Sequence, residues 1–136
     1  MQQGTVTWVD GEQFLAVGPS GHALVMDADR QRNTGPGPME LLLVALGGCS
    51  GSDVVSILKK KRQALTGLFI ELSGERAPEP PMVWTKIKIH FRVVGKGIDR
   101  RGVEQAIELS RTKYCSVAAT LAHTAAIEWS HSIEEA

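Results

Sequence analysis

Two cysteines are the residues of this sequence whose side chains are best suited to chemistry. Cys49 lies inside the run of residues 47–51, which reads Gly-Gly-Cys-Ser-Gly, and Cys115 lies much further along the chain. Each glycine inside a helix costs about 1 kcal/mol relative to alanine, so this run needs a compensating reason. Glycine allows another backbone, a partner helix or a ligand to approach closely. We therefore expect Cys49 to lie in a tight apolar pocket beside this run.

Cys115 lies where two helices are predicted to meet. If Cys115 or Ser116 caps the second helix, the thiol lies at its positive end, with Arg111 and Lys113 nearby. Both effects lower a thiol pKa and favour the reactive thiolate. Two converging thiols can then run a peroxide cycle: one thiolate attacks an O–O bond and becomes a sulfenic acid, and the other condenses with it to a disulfide. For each cysteine the alternative is a small buried apolar side chain.

The composition predicts a single globular domain over residues 1–136. Apolar residues make up 43% of the chain and charged residues 22%, which is ordinary for a globular protein of this length. Fifteen basic residues balance 15 acidic ones and only 5% of residues are aromatic, so a nucleic-acid partner is not expected. The cysteines and histidines show no metal-ligand spacing, and no metal or bound organic cofactor is expected.

The sequence also predicts a cytoplasmic protein without a membrane partner. Its first residues carry neither a positive region nor an apolar run of the kind that signal peptides contain. The longest apolar run, residues 41–46, is far too short to span a bilayer. In a reducing cytoplasm the two cysteines start as thiols, so a permanent structural disulfide is not expected.

The elements that must position the cysteines follow from hydrophobic periodicity. Alternating β-branched and apolar residues between tight turns predict a three-stranded meander, with strands at 5–9, 13–17 and 22–27. A polar loop over 29–37 leads to one long helix from Pro38 to Ala64. This helix is apolar all round, which predicts burial, and we expect it to be broken or bent at the glycine-rich run.

The second half of the chain combines further strands with shorter helices. Strands are predicted at 68–74 and 83–94, and a last one at 127–133. A helix begins at Asp99, is interrupted at residues 114–116 and is followed by a short helix from Val117 to about Ala125. Segregated runs of strands and helices predict an α+β fold rather than a doubly wound sheet.

Nearly the whole chain resembles the OsmC/Ohr family, which includes the osmotically inducible protein C and the organic hydroperoxide resistance proteins. The resemblance is strongest to its YhfA-like branch. It lies mainly in four motifs: Pro38-Met39-Glu40-Leu41-Leu42, Gly47-Gly48-Cys49-Ser50, Asp53-Val54-Val55-Ser56-Ile57-Leu58 and Lys113-Tyr114-Cys115-Ser116-Val117.

The resemblance implies a fold, an assembly and a reaction. The fold would be the OsmC-like α+β fold, in an intertwined homodimer with two sites at the interface. Cys49 matches the family's peroxidatic thiol and Cys115 its resolving thiol. The implied reaction is the reduction of organic hydroperoxides to alcohols, with electrons from an external dithiol.

The resemblance also implies an activating arginine and glutamate. The family glutamate lies ten residues before the peroxidatic cysteine, where this chain has Met39, and Glu40 follows one residue later. One residue turns a helical side chain by about 100°. For the arginine, Arg30 and Arg32 lie slightly after the family position. We expect Arg30 to hold the Cys49 thiolate as an anion and Glu40 to orient Arg30.

Two other functions are compatible with the same residues. The first is a non-catalytic binding domain whose pocket holds a small apolar or thiol-reactive ligand, with the cysteines as redox sensors or bystanders. The second is a dimeric domain whose cysteines are core residues only. The distance between the two thiols distinguishes this second alternative from the peroxide cycle, because a disulfide needs a Cα separation below about 7 Å.

Overall fold

The computed structural model describes all residues, 1–136, as two compact units, Met1–Leu42 and Leu43–Ala136. Each unit contains one three-stranded sheet, and helices connect or follow the strands. The predicted α+β class is therefore confirmed. The assignment of residues 1–136 to a single domain stays a prediction.

The first unit contains the predicted meander. Its strands are β1 (Thr5–Asp10), β2 (Gln13–Val17) and β3 (Ala23–Asp27), and both neighbouring pairs are antiparallel. Gly11 turns the chain between β1 and β2 with a φ of +55°, a conformation that glycine adopts without a steric penalty. The indole Nε1 of Trp8 donates to the Gly11 carbonyl at 2.8 Å.

A buried carboxylate organises the loop that follows β3. Asp27 is fully buried and accepts hydrogen bonds from the backbone N–H groups of Asp29 at 2.9 Å and Thr34 at 3.1 Å, and from the Thr34 hydroxyl. These bonds, above all the one from the Thr34 hydroxyl, lower the pKa of Asp27 below its ordinary value of 3.8. The ionised carboxylate therefore holds this loop in place.

The long helix α1 spans Pro38–Lys60. It begins with Pro38, which has no backbone N–H to leave unpaired, and it has Glu40 in its positive first turn and lysines in its negative last turn. It ends four residues before the predicted end, because Ala64 already belongs to the next strand. The glycine-rich run does not interrupt α1, so the expected break there is wrong.

The glycines of α1 are explained by its contact with the next strand, β4 (Ala64–Arg76). A Cβ on Gly47 would lie 2.8 Å from Leu72 Cδ1, and a Cβ on Gly51 would lie 2.6 Å from Ile70 Cδ1. Real side chains do not approach so closely, so these positions allow the helix to lie directly on the sheet. Gly48 has open space around it.

The second unit is built on the sheet β4-β5-β6. Strand β5 (Trp84–Lys96) pairs antiparallel with β4 and parallel with β6 (Ala126–Glu135). Every second residue of β5 is fully buried and forms the centre of the core, namely Ile87, Ile89, Phe91 and Val93. This is the alternation that the sequence predicted for this strand.

The parallel pairing of β5 and β6 requires a crossover connection, which carries Cys115. It consists of α2 (Arg100–Leu109), a π-helical turn over Ser110–Tyr114 and α3 (Ser116–Leu121). Asp99 is the N-cap of α2, and its carboxylate accepts from two backbone N–H groups. The helix interruption predicted at residues 114–116 is this π turn together with Cys115.

Helix α1 buries one side only in the single chain. Its buried residues include Leu46, Val54 and Leu58, whereas Leu42 is 44% exposed and Val44 is 56% exposed. The sequence predicted burial on all sides. The difference shows that the apolar residues on the other side have no partner within one chain.

By length and composition, α1 is apolar enough to cross a membrane. The run 41–46 is only part of this longer apolar helix. Core helices of soluble proteins meet the same criterion. The close contacts of Gly47 and Gly51 with β4 identify α1 as a core helix.

Candidate thiol site

The structure brings the two cysteines of the second unit together. Cys49 lies in the middle of α1 and Cys115 lies directly before α3, and both are free thiols. The side chain of Cys49 lies close enough to the Cys115 thiol to raise its pKa. Cys115 is only 4% exposed, whereas Cys49 is partly exposed. The reading of both cysteines as unrelated core residues is therefore not supported.

The backbone around Cys115 fixes the direction of its side chain. Its N–H donates to the Ser110 carbonyl at 2.9 Å, which closes the π turn. Its own backbone is extended, and its sulfur accepts the N–H of Ala118 at 3.3 Å as the N-cap of α3. The expectation that Cys115 can cap the last helix is confirmed.

The pKa of Cys115 moves in the direction opposite to the one expected. The pKa is raised from 9.0 to about 11, and burial of the thiol is the first cause. The Ala118 N–H partly offsets the effect of burial, and the neighbouring Cys49 and the Asp53 carboxylate make smaller contributions that raise the pKa. The expected lowering of the pKa is therefore wrong for this thiol.

The cations expected to lower this pKa have other partners. Arg111 forms a bidentate ion pair with Glu108, in which Arg111 Nη2 lies 2.7 Å from Glu108 Oε1. The Lys113 ammonium lies over the ring of Tyr114, 5.2 Å from its centroid. Helix α3 has only six residues, so its dipole is weak. Cys115 is consequently a protonated thiol at neutral pH, and Cys49 is the more exposed of the two thiols.

A buried polar group beside the thiols was not predicted from the sequence. The hydroxyls of Ser50 and Ser110 lie 2.7 Å apart, and both side chains are fully buried. Ser110 Oγ donates to Asp53 Oδ2 at 2.9 Å. The available signal in the sequence was the spacing on α1. Ser50 directly follows Cys49, and Asp53 lies four residues after Cys49 and therefore on the same helical face.

A cavity of about 440 Å³ shares Asp53 with this polar group. Its lining combines apolar side chains with two lysines and an exposed tyrosine at residue 114, directly before Cys115. Its lining residues are Asp53, Ser56, Ile57, Lys60, Lys61, Leu109 and Tyr114. No group of three or more metal-ligating side chains occurs in the chain.

The two other predicted site residues lie in the first unit and contact each other. Arg30 Nη1 lies 3.8 Å from Glu40 Oε1, and both side chains are about half exposed. Arg30 also donates to the backbone carbonyls of Asp27 and, at 2.8 Å, Gly35. The Arg30 guanidinium thus lies beside the Glu40 carboxylate, and it also supports its own loop.

Arg32, the other arginine considered at the sequence level, has a different partner. Its guanidinium lies 3.3 Å from the Asp10 carboxylate and donates to the Asp10 carbonyl at 3.3 Å. This side chain ties the loop to the end of β1. Of the two arginines, only Arg30 is paired with Glu40.

Comparison with known proteins places this chain among relatives of similar length. Residues 31–130 match the family of OsmC-like proteins. The chain is 43% identical over 132 residues to protein YhfA of Escherichia coli K12, a match that covers 97% of this chain and 96% of YhfA.

Solved structures show the same fold. A hypothetical protein from Aquifex aeolicus VF5 has a crystal structure that superposes with a TM-score of 0.89 at 32% sequence identity. The match covers 100% of this chain and 98% of the Aquifex chain. The organic hydroperoxide resistance protein OhrB of Bacillus subtilis is 15% identical, with a TM-score of 0.62 and coverage of 97% and 98%. The last similarity shows the fold alone. Taken with the match of residues 31–130, these similarities show that the chain belongs to the OsmC-like protein family.

Proposed function

We propose that this protein is a thiol-dependent reductase of organic hydroperoxides that serves in oxidative stress defence. Cys49 is the peroxidatic thiol and Cys115 is the resolving thiol. The observation that carries the proposal is the contact between the two side chains, one partly exposed and the other almost fully buried. Membership of the OsmC-like family supports it, because structural relatives include proteins named for organic hydroperoxide resistance.

The first chemical step oxidises Cys49. Its thiolate attacks one oxygen of the hydroperoxide, an S–O bond forms and the O–O bond breaks. The released alkoxide takes a proton and leaves as the alcohol. Cys49 has then become a sulfenic acid, and the substrate has been reduced by two electrons.

The second step uses Cys115, which is still protonated. Its sulfur attacks the sulfenic sulfur of Cys49, an S–S bond forms and the S–O bond breaks. The departing hydroxide takes the Cys115 proton and leaves as water. An external dithiol then reduces the disulfide by thiol–disulfide exchange and is itself oxidised to a disulfide.

The proposed substrate is an organic rather than an inorganic peroxide, and the cavity lined by Asp53 is where we propose that its organic group binds. The lining of this cavity includes Ile57, Leu109 and Tyr114. An alkyl or aryl group gains free energy by leaving water in such a cavity, whereas hydrogen peroxide has no apolar group to bury.

The homodimer is part of the same proposal. Proteins of the OsmC/Ohr family are commonly dimeric. In this chain, Leu42, Val44 and Trp8 are between 44% and 65% exposed, although side chains of this size favour burial. A second copy of the chain would cover apolar surface of this kind.

The roles of Arg30 and Glu40 rest on the resemblance to the family. Glu40 would orient Arg30, which their 3.8 Å ion pair supports, and Arg30 would hold the Cys49 thiolate as an anion. The cytoplasm is the proposed location, because its reducing environment returns the disulfide to thiols between turnovers.

Stopped-flow oxidation of the reduced protein by cumene hydroperoxide tests the proposal. We expect the wild type to lose both thiols rapidly and to gain an intramolecular disulfide, identified by mass. Cys49→Ser should abolish the fast phase, and Cys115→Ser should stop at the sulfenic acid. Oxidation of the wild type no faster than that of free cysteine would reject the peroxidase function.

One observation favours the second candidate, a non-catalytic binding domain. Arg30 is already engaged by the carbonyls of Asp27 and Gly35, which is the arrangement of an arginine that supports a loop. The stopped-flow experiment separates the candidates, since a binding domain would show slow oxidation in all three proteins.

A further inference from the structure

A chain of hydrogen bonds connects the two cysteine-bearing segments without passing through sulfur. The Cys115 N–H donates to the Ser110 carbonyl at 2.9 Å. The Ser110 hydroxyl contacts Asp53 at 2.9 Å and Ser50 at 2.7 Å, and Ser50 directly follows Cys49. The backbone of one cysteine is therefore tied to the helical turn of the other.

The direction of these bonds follows from the number of protons available. A serine hydroxyl has one proton, and that of Ser110 is donated to the Asp53 carboxylate. Ser50 must then donate its own proton to Ser110. A single carboxylate thus sets the orientation of both buried hydroxyls.

Ser110 is also the first residue of the π turn. Its N–H donates to the carbonyls of Ala106 and Ile107 at the end of α2, and its own carbonyl receives the N–H of Cys115. π turns are rare and occur frequently at functional sites, because the extra residue changes the direction of the following side chain. Here the residue that follows the turn is Cys115.

We propose that Ser110 and Asp53 are positioning residues of the dithiol: they hold the π turn that carries Cys115 against the turn of α1 that carries Cys49. They thereby favour closure of the Cys49–Cys115 disulfide. This inference rests on the proposed function, in which that disulfide is an intermediate. Neither residue takes part in the oxidation itself.

The consequence is a high effective concentration of one thiol toward the other. Fixed geometry of this kind raises effective concentrations by orders of magnitude over flexibly linked groups. Loss of the Ser110 hydroxyl leaves Ser50 and Asp53 without their shared partner, and the π turn is then anchored by its backbone alone. We expect the effective concentration to fall by about tenfold or more in Ser110→Ala.

Equilibration of the full chain in glutathione redox buffers measures this quantity. The two protein thiols give up two electrons and two protons to glutathione disulfide, and the products are the Cys49–Cys115 disulfide and two glutathione thiols. Alkylation followed by mass analysis gives the oxidised fraction. Variants for this experiment are Ser110→Ala, Asp53→Ala and Asp53→Asn.

Thr112→Val is the matched control. Thr112 lies in the same π turn, but its hydroxyl donates only to the Glu108 carbonyl at 2.7 Å and does not reach α1. We expect Thr112→Val to match the wild type and Asp53→Ala to match Ser110→Ala. Asp53→Asn retains an oxygen acceptor, so it should keep most of the wild-type effective concentration.

The outcomes separate this inference from the proposed function, since no hydroperoxide is present. An unchanged effective concentration in Ser110→Ala, or an equal loss in Thr112→Val, would overturn the positioning role. An Asp53→Asn variant as impaired as Asp53→Ala would also overturn it, because charge rather than the hydrogen bond would then be responsible. If Ser110→Ala does not fold, the effective concentrations in Asp53→Ala and Asp53→Asn are compared instead, since only Asp53→Asn keeps an acceptor for the Ser110 hydroxyl.

Discussion

The backbone N–H of Cys115 donates to the carbonyl of Ser110, five residues earlier, at 2.9 Å. An α-helical bond would reach only four residues back, so the chain contains one extra residue at this point. Cys115 directly follows this turn with an extended backbone, and its thiol lies close enough to Cys49 for the two side chains to interact.

The raised pKa of Cys115 predicts slow alkylation. With a pKa of about 11 rather than 9.0, the thiolate fraction at pH 8 falls about 100-fold, and reagents attack the thiolate. The rate at which iodoacetamide alkylates Cys115, measured by mass spectrometry, should therefore increase with a midpoint near pH 11 in the folded chain and near pH 9 in denaturant. Cys49→Ser should move the midpoint of the folded chain only part of the way toward pH 9, because burial is the largest cause of the raised pKa. A folded profile centred at or below pH 9 would contradict this account.

The glycines of α1 predict opposite effects of alanine at neighbouring positions. Gly48→Ala meets no atom within the chain and should gain up to about 1 kcal/mol from helix propensity. Gly51→Ala would place a Cβ 2.6 Å from Ile70 Cδ1, and overpacking of this kind costs about 1–3 kcal/mol. Chemical denaturation should therefore find Gly51→Ala less stable than Gly48→Ala. Equal stabilities would show that α1 does not lie on β4 at this distance.

Much of the fold was predictable because its signals are local. Alternation in β5 identifies the strand from Ile87, Ile89, Phe91 and Val93 alone, since a half-buried strand imposes a period of two. The break expected in α1 was wrong for a non-local reason. The cost of Gly47 and Gly51 is offset by contact with β4, and a helical pattern contains no information about which strand will lie beside it.

The candidate site was predictable only in part. The cysteines stood out because thiols are few and their motifs resemble a known family. Ser110 and Asp53 did not, because a serine near a helix end and a carboxylate on a helix are usually solvated. The hydrogen bond between buried Ser110 and partly buried Asp53 exists only because α1 and the π turn lie together in the tertiary structure.

The buried carboxylate of Asp27 predicts an acid-dependent contribution to stability. Its pKa is lowered in the folded state, chiefly by the Thr34 hydroxyl, so the folded chain binds fewer protons than the unfolded chain. The contribution is therefore fully present above the ordinary value of 3.8 and is lost as the pH falls through the lowered value. Asp27→Asn should destabilise the protein at pH 7, and the difference from wild type should shrink toward pH 3. A constant difference across this range would contradict the assignment. Asp29→Asn serves as a comparison, because the Asp29 carboxylate lies in the same loop but is not fully buried.

The exposed apolar residues of α1 predict association of two chains. Val44 is 56% exposed, and Val44→Asp adds a charge that an apolar interface would have to desolvate. Sedimentation velocity should show a dimer for the wild type and a larger monomer fraction for Val44→Asp. Met82→Asp is the control, because Met82 is also exposed, at 44%, but lies in the proline-rich connection. A monomeric wild type, or equal dissociation of both variants, would argue against an interface at Val44.

The pairing of Arg30 with Glu40 predicts that the two loop arginines differ in their importance for activity. Removing one preorganised electrostatic partner of a reacting group costs about 100-fold in rate or more. Arg30→Gln should therefore slow the oxidation of Cys49 by cumene hydroperoxide by about this factor. Arg32→Gln, which loses the contacts with Asp10, should stay near wild type.

The same measurement distinguishes activation from loop support. Arg30 also holds the carbonyls of Asp27 and Gly35, so a purely structural role would lower the melting temperature and leave the oxidation rate of the folded protein unchanged. An activating role would lower the rate in protein that is still folded and shift its pH profile upward, because the thiolate would lose a neighbouring cation. Glu40→Gln, which frees Arg30 without removing its charge, should fall between Arg30→Gln and the wild type. Equal rates for Arg30→Gln and Arg32→Gln would assign Arg30 to the loop alone.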